Sequence, residues 1–356
     1  MKHILPYVLC CLLLMSCGKA ADGMLPRAEE PLDSAITAQM DSTFWAVNAV
    51  SASDLHSLMV VQHGRVIYEK YGIGHDAEEL HVCWSATKTF TALAAGFAIQ
   101  DGLLDLETPI IEFLPKEELP DSLDARWQQL CLHQVLSMTS GLRSDSITDR
   151  TRAGERFSPL ATIFERGFRD EPGNRWRYNN CDSYLVARVV ENVTGKTVDE
   201  YLEDKLFQPL AIHHWEWEKD ATGHCPGGFG LHITTESLAK MGLFILQEGQ
   251  WEGQQLLNRE WLQAMTAVHS WQDPDNIPSE EQRSMSYELG ASDWRSGYCY
   301  QMWACRAPGA TRADGMWGQY VIVMPDKDAV GVMTTICTDR TAQMDAFWKN
   351  VYEMLK

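Results

Sequence analysis

Among the side chains able to do covalent chemistry, a serine and a lysine stand three residues apart in Val82-Cys83-Trp84-Ser85-Ala86-Thr87-Lys88-Thr89-Phe90. Phe90, Leu93, Ala94 and Phe97 then recur at helical spacing as far as Asp101-Gly102, so the pair falls at the start of a helix. Residues i and i+3 share a helix face, with Cβ atoms about 5–6 Å apart. An ammonium can therefore sit beside the hydroxyl with the positive end of the helix beneath both, which is a way to activate a weak nucleophile. The same S-x-x-K spacing recurs at Ser16–Lys19 and at Ser237–Lys240. The first overlaps an apolar leader. The second lies in a polar-to-apolar helical stretch, where Lys240 is expected to face solvent. Spacing alone does not choose among them, so the choice rests on residues further along the chain.

Two later stretches supply partners. Glu171-Pro172-Gly173-Asn174-Arg175-Trp176-Arg177-Tyr178-Asn179-Asn180 places Tyr178 and Asn180 just ahead of a helix. Ala313-Asp314-Gly315-Met316-Trp317-Gly318-Gln319-Tyr320 reads as a tight turn between two strands. With S-x-x-K, Y-x-N and a strand-edge glycine in this order, the chain resembles the class C β-lactamase and penicillin-binding protein-like serine hydrolase family, including its 6-aminohexanoate-oligomer hydrolase and esterase members. Leu136-Ser137-Met138-Thr139-Ser140-Gly141, Val193-Thr194-Gly195-Lys196, Phe207-Gln208-Pro209-Leu210 and Gly318-Gln319 before an apolar strand add to the resemblance, which covers roughly residues 33 to 355.

The resemblance implies roles that suit the chemistry. Ser85 would be the acylated nucleophile, and Lys88 would ease loss of its proton and keep Tyr178 partly anionic. Tyr178 would take that proton and return it to the leaving group. Asn180 would position Lys88 and the substrate. The backbone N–H groups of Ser85 and Met316 would form the oxyanion hole, with Asp314 and Gly315 beside it. The third element departs from the family's lysine-threonine-glycine, because Ala313-Asp314-Gly315 stands there and no lysine lies between Lys240 and Lys327. Arg312 could supply a substitute cation if it faces the site.

Plainer roles compete residue by residue. A tyrosine such as Tyr178 commonly packs with its hydroxyl satisfied, and an asparagine such as Asn180 commonly caps a helix. Cys83, two residues before Ser85, is expected to pack inside. The histidines, His213-His214, His224 and His232 among them, show no compact ligand spacing, so no metal and no cofactor are expected. The absence of G-x-S-x-G disfavours a nucleophile-elbow hydrolase.

Composition bounds what surrounds these motifs. A formal net charge of −19 argues against nucleic-acid partners, which need a basic face. The partner expected is a small ester, amide or peptide-like substrate. Met1-Lys2-His3 and the apolar run Ile4 to Met15 fit a secretory signal, too short to span a bilayer comfortably. Leu14-Met15-Ser16-Cys17 resembles a bacterial lipobox, with Cys17 the lipidated residue and residues 18–31 a tether. Ordinary cleavage near Ala20-Ala21 is the rival. A lipid at Cys17 would be the only membrane link of an exported, periplasmic or outer-membrane-anchored protein. Cys83, Cys131, Cys181, Cys225, Cys299, Cys305 and Cys337 remain, an odd set without C-x-x-C and so expected as buried free thiols.

The elements needed to position the motifs are legible in outline. Helices are expected over about 32–48, 85–101, 132–138, 182–193, from 198, over 235–247, 258–267 and 342–355. Strands are expected over 56–62, 65–71, 297–306, 311–315, 319–324 and 329–335. The expected fold is α+β, an antiparallel sheet built from both termini of a domain spanning 32–356. Helices flank the sheet, and a mainly helical lobe is inserted over about 103–230. The polar, aperiodic stretch 273–297 reads as a long loop, with Tyr287 and Trp294 either covering an acyl group or anchoring the loop to the surface.

Overall fold

The computed structural model describes residues 23–143, 147–272 and 292–356. Helix α1 (Ser34–Asn48) is capped by Asp33, whose side chain accepts from the Ala35 N–H at 2.8 Å. The hairpin of β1 (Asp54–Gln62) and β2 (Arg65–Tyr71) turns at His63-Gly64, both in the left-handed region. Then come β3 (His81–Val82), a 3₁₀ turn (Trp84–Ala86) and α2 (Thr87–Gln100). The inserted segment holds α3 (Leu132–Leu136), α4 (Thr148–Arg152), α5 (Pro159–Arg166), α6 (Asn180–Thr194) and α7 (Val198–Leu202). The chain returns through β4 (Trp215–Trp217), β5 (Leu231–Ile233), α8 (Thr235–Leu246), β6 (Gln250–Trp251), β7 (Gln254–Gln255) and α9 (Arg259–Thr266). It ends with β8 (Trp303–Ala304), β9 (Thr311–Gly315), β10 (Gln319–Met324), β11 (Ala329–Ile336) and a closing helix (Arg340–Asn350).

The main sheet has six strands in the order β2-β1-β11-β10-β9-β8, antiparallel throughout. Strands from the two ends of the chain meet where β1 pairs with β11, as the sequence pattern implies. Strict alternation along the central strands feeds two cores. Met59, Val61, Val321, Val323, Val330 and Val332 face α2 and α8, whereas Leu58, Val60, Tyr320, Ile322, Met324 and Met333 face α1 and the closing helix. Helix α8 lies close against the sheet because Gly242 has no side chain: a Cβ there would stand 2.6 Å from Val330 Cγ1.

A second sheet, ordered β3-β5-β4, was not expected, because strands of two or three residues leave no periodic signal. It matters because β3 runs directly into the turn that carries Ser85. The expected strand over 297–306 is also corrected. Only Trp303–Ala304 is strand, because Gln301 at φ 55° folds the chain back and the Cys299 N–H donates to the Met302 carbonyl at 2.8 Å. Buried Gln301 then ties the lobe together: its Nε2 donates to the Val135 and Leu136 carbonyls, and its Oε1 accepts from Ser183 Oγ at 2.6 Å. Lys240 does not face solvent. It is 5% exposed and donates to the Ala211 carbonyl at 2.7 Å. Most of the expected loop 273–297, with Tyr287, lies outside the described residues. All seven cysteines after the leader are free and buried.

Candidate active site

Helix α2 is buried on every side from Thr87 to Ala98, so its first turn is held rigidly inside the molecule. Ser85 lies in the 3₁₀ turn just ahead of it and is part-exposed, while Lys88 is 1% exposed. Trp84 sits at φ 49°, a strained conformation for an aromatic residue, immediately before the serine. The Lys88 ammonium donates to Ser85 Oγ at 3.3 Å, to the Gly228 carbonyl at 2.8 Å and to Asn180 Oδ1. Gly228 permits this approach, since a Cβ there would lie 3.1 Å from Lys88 Nζ and 3.0 Å from Asn180 Oδ1.

Asn180 is the first residue of α6 and not its cap. Asn179 takes the capping role, its side chain accepting from the Cys181 N–H at 3.1 Å. That leaves the Asn180 amide to bridge Lys88 and Thr148 Oγ1, the latter at 2.9 Å. Tyr178 lies in the same cluster, its ring centroid 4.9 Å from Lys88 Nζ. The ring stacks on Trp303 at 5.8 Å and meets Tyr298 edge-on at 6.2 Å. The structure therefore brings together Ser85, Lys88, Tyr178 and Asn180 from two stretches some ninety positions apart.

The third stretch forms the sheet edge, with a Met316-Trp317-Gly318 turn between β9 and β10. Gly315 is where β9 passes the nucleophile's turn: a Cβ there would be 2.3 Å from the Cys83 carbonyl oxygen. Met316 follows it at the surface, 50% exposed. Two expectations change here. Asp314 does not line a substrate cleft; it is buried on the far side of β9. Arg312 Nε and Nη2 donate to Asp314 Oδ2 at 3.0 and 2.8 Å, and Arg340 approaches Oδ1 at 3.5 Å. Side chains two apart on a strand share a face, which is why Arg312 and Asp314 meet. Arg312 is fully buried, also donates to the Asp293 and Ala304 carbonyls, and is flanked by Trp294 at 5.0 Å and Trp303 at 5.4 Å. Burial opposes its charge, yet Asp314 beside it raises its pKa. Of the two roles open to Trp294, cover or anchor, its packing against Arg312 and Arg340 makes it an anchor.

The other nucleophile candidates fall to burial. Cys83 is 1% exposed, and desolvation raises its thiol pKa, which removes it from the thiolate chemistry a nucleophile needs. Ser237 is a buried helix-start residue whose N–H donates to the Thr234 cap at 3.2 Å. Asp182 escaped notice in the sequence. It is fully buried two residues after Asn180 and accepts from Ser140 Oγ at 2.6 Å, and burial pushes its carboxyl pKa well above the usual range. Its helix-start position looked like an ordinary first-turn acid, so only burial distinguishes it.

The beta-lactamase family model matches residues 44–349, so the chain belongs to the beta-lactamase family. Its fold is that of the family's serine hydrolases. Protein flp of Staphylococcus aureus strain MW2 is 25% identical over 199 residues, which cover 52% of this chain and 39% of that protein. The chain thus spans about two fifths of the length of that relative. Among solved structures, a Bacillus anthracis protein assigned as a 6-aminohexanoate-dimer hydrolase superposes with a TM-score of 0.69 at 18% identity, covering 84% of this chain and 78% of that one. EstCE1, a hydrolase with promiscuous acyltransferase activity, superposes with a TM-score of 0.66 at 15% identity, covering 88% and 98%. These likenesses concern the fold.

Proposed function

We propose that the protein is a serine hydrolase that forms an acyl-enzyme on Ser85 and hydrolyses small neutral or amine-bearing esters and amides. The observation that carries this reading is the buried Lys88 ammonium donating to Ser85 Oγ, with Asn180 and Gly228 fixing its position and Tyr178 above it. In the reaction, Ser85 Oγ bonds to the acyl carbon as its proton passes to Tyr178, and Tyr178 returns it to the departing alkoxide or amine. Water then attacks the acyl-enzyme by the same route in reverse, releasing the acid and restoring Ser85. The N–H groups of Ser85 and Met316 receive the oxyanion.

Substrate class follows from the third stretch. Ala313 stands where penicillin-recognising relatives place lysine, and the nearby Arg312 is committed to Asp314. Losing a charge-assisted hydrogen bond to an antibiotic's carboxylate costs about 1.5–3 kcal/mol, or about one to two decades in affinity. A kinetic comparison of nitrophenyl butyrate with a chromogenic cephalosporin tests this. The ester should show the higher kcat/KM; a cephalosporin equal to it or better would replace this reading with a β-lactamase or D-alanyl carboxypeptidase. Fluorophosphonate labelling of Ser85 with no turnover of either substrate would instead indicate a slow-acylating penicillin-binding-like receptor.

Export and lipidation at Cys17 belong to the same proposal, supported by the Lys2 cation, the Ile4–Met15 apolar run and Leu14-Met15-Ser16-Cys17. Residues 1–22 lie outside the described residues, and no helix among the described residues is long and apolar enough to cross a membrane. Cys17→Ser should move the protein from the membrane fraction to the soluble exported fraction, since acyl chains contribute about 0.8 kcal/mol per buried CH₂. Absence of metabolic palmitate on the wild-type protein would favour cleavage near Ala20.

A further inference from the structure

Four residues before the nucleophile, the chain carries a buried imidazole that the proposed hydrolysis does not use. His81 opens β3, pairs across to Ile233 and is 4% exposed. Among the described residues neither of its ring nitrogens makes a hydrogen bond: Nε2 has no partner, and Nδ1 stands 3.9 Å from Glu79 Oε1, beyond hydrogen-bond reach. Buried polar side chains without partners are uncommon and call for an explanation.

The surroundings supply one. His56 lies on β1 at a bulge, where the β1–β11 register slips between Leu55 and Ser57. The slip keeps both Leu55 and Leu58 in the core beneath α1 and turns His56 toward β3. Its ring centroid is 5.6 Å from that of His81. Donor atoms of His56, Glu79 and His81 all lie within 4.8 Å of one another. Tetrahedral zinc bonds of about 2.0–2.2 Å bring donors to roughly 3.5 Å apart, so a contraction of about 1 Å completes a three-ligand set. Glu79 is already oriented. Its Oε2 receives His75 Nδ1 at 2.7 Å, while His75 Nε2 faces Asp54 at 3.4 Å. This is the carboxylate–imidazole chain that commonly holds a metal-binding carboxylate in place.

We propose that His56, His81 and Glu79 form a site for a borderline divalent metal ion of the zinc type, with His75 as the outer partner that orients Glu79. Two neutral imidazoles and a carboxylate suit zinc, cobalt(II) or nickel(II) and not calcium or magnesium. Part-exposed His56 and Glu79 leave a path from solvent. The ion would clip the bulge of the main sheet to the strand that leads into Ser85, a structural role separate from the hydrolytic chemistry. The sequence concealed the set because residues 56 and 79–81 meet only when β2 has returned along β1.

The test uses untagged protein, dialysed against chelator and titrated with zinc sulfate by calorimetry. Wild type should take up one zinc per chain and gain melting temperature with zinc. His56→Asn and Glu79→Gln should each weaken binding by more than about a hundredfold, and His75→Gln by about ten- to a hundredfold. Glu79→Gln should melt like metal-free wild type, which separates loss of the site from loss of the fold. Cobalt(II) should give d–d bands without a thiolate charge-transfer band, because no cysteine belongs to the set. No saturable uptake by wild type, a thiolate band, or variants that bind as tightly as wild type would overturn the site. So would Asp54→Asn weakening binding more than Glu79→Gln, since it would shift the metal to Asp54, His56 and His75.

Discussion

Lys88 and Arg312 are cations buried to nearly the same degree, 1% and 0% exposed, and they are held in opposite ways. The Lys88 hydrogen bonds to Ser85, Asn180 and Gly228 end on uncharged oxygens, and burial raises the pKa of the neighbouring Asp182 carboxyl. Arg312 is clamped by two hydrogen bonds to one oxygen of Asp314 and lies between two tryptophans. A cation beside neutral acceptors keeps its field available to a hydroxyl that must lose a proton. A cation beside a carboxylate has spent that field on the fold. Arg312 still serves the site indirectly, because Trp303, on which it rests, is the surface against which Tyr178 stacks. The two buried cations differ in their partners, not in their burial.

The largest effect should come from the Lys88 side of this comparison. Ser85→Ala should lower kcat for nitrophenyl butyrate by about 10⁴–10⁶, and Ser237→Ala should leave it nearly unchanged. Lys88→Ala and Tyr178→Phe should each remove most of the activity, and the double variant should lose little more, because both act in one proton transfer. Additive losses would show that Lys88 and Tyr178 serve different steps. Equal rates for wild type and Ser85→Ala would remove the site altogether.

The Arg312 side should respond in stability first. Arg312→Met leaves Asp314 buried with Arg340, at 3.5 Å, its remaining cation among the described residues, and removing one partner of a buried pair costs about 3–5 kcal/mol. Arg312→Met/Asp314→Leu should recover much of that loss in urea melts, since an apolar pair of similar volume removes both desolvation penalties. Should Arg312→Met instead keep full stability while KM for anionic substrates rises, Arg312 is a substrate-binding residue and the contrast drawn above is wrong.

What the sequence disclosed and what it withheld divide along the same line. Ser85–Lys88 and Tyr178–Asn180 are local patterns, and the hairpins β1–β2, β9–β10 and β10–β11 alternate clearly, so the fold class and the four clustered residues were legible. The direction of Arg312 was not, because either face of β9 is buried and alternation cannot tell one buried face from the other. Gln301 broke an apparent strand by taking a left-handed conformation with no glycine to announce it. Lys240 was read as solvent-facing because its backbone acceptor, the Ala211 carbonyl, lies 29 positions away. The His56–Glu79–His81 set and the raised pKa of Asp182 likewise depend on distant segments that no spacing encodes.

The smallest effect sharpens the comparison from its acidic side, through Asp182. Burial raises its pKa in the folded protein, while Ser140 and the Lys88 charge pull in the other direction without prevailing. An unfolded aspartate titrates near pH 3.9. Below that pH both states carry the proton and the group contributes fully to stability. Above it the unfolded chain binds fewer protons than the native one, so stability falls with rising pH until the folded pKa is passed. Asp182→Asn keeps an acceptor for Ser140 Oγ and removes the titration. The wild-type melting temperature should therefore fall relative to that of Asp182→Asn between pH 5 and pH 8, with the variant equal or more stable at the upper end. If the two curves run parallel, or if wild type gains on the variant as pH rises, Asp182 is ionised in the native protein. Lys88 would then lie in the field of an ionised carboxylate, as Arg312 lies in that of Asp314, and the contrast between the two cations would rest on geometry alone.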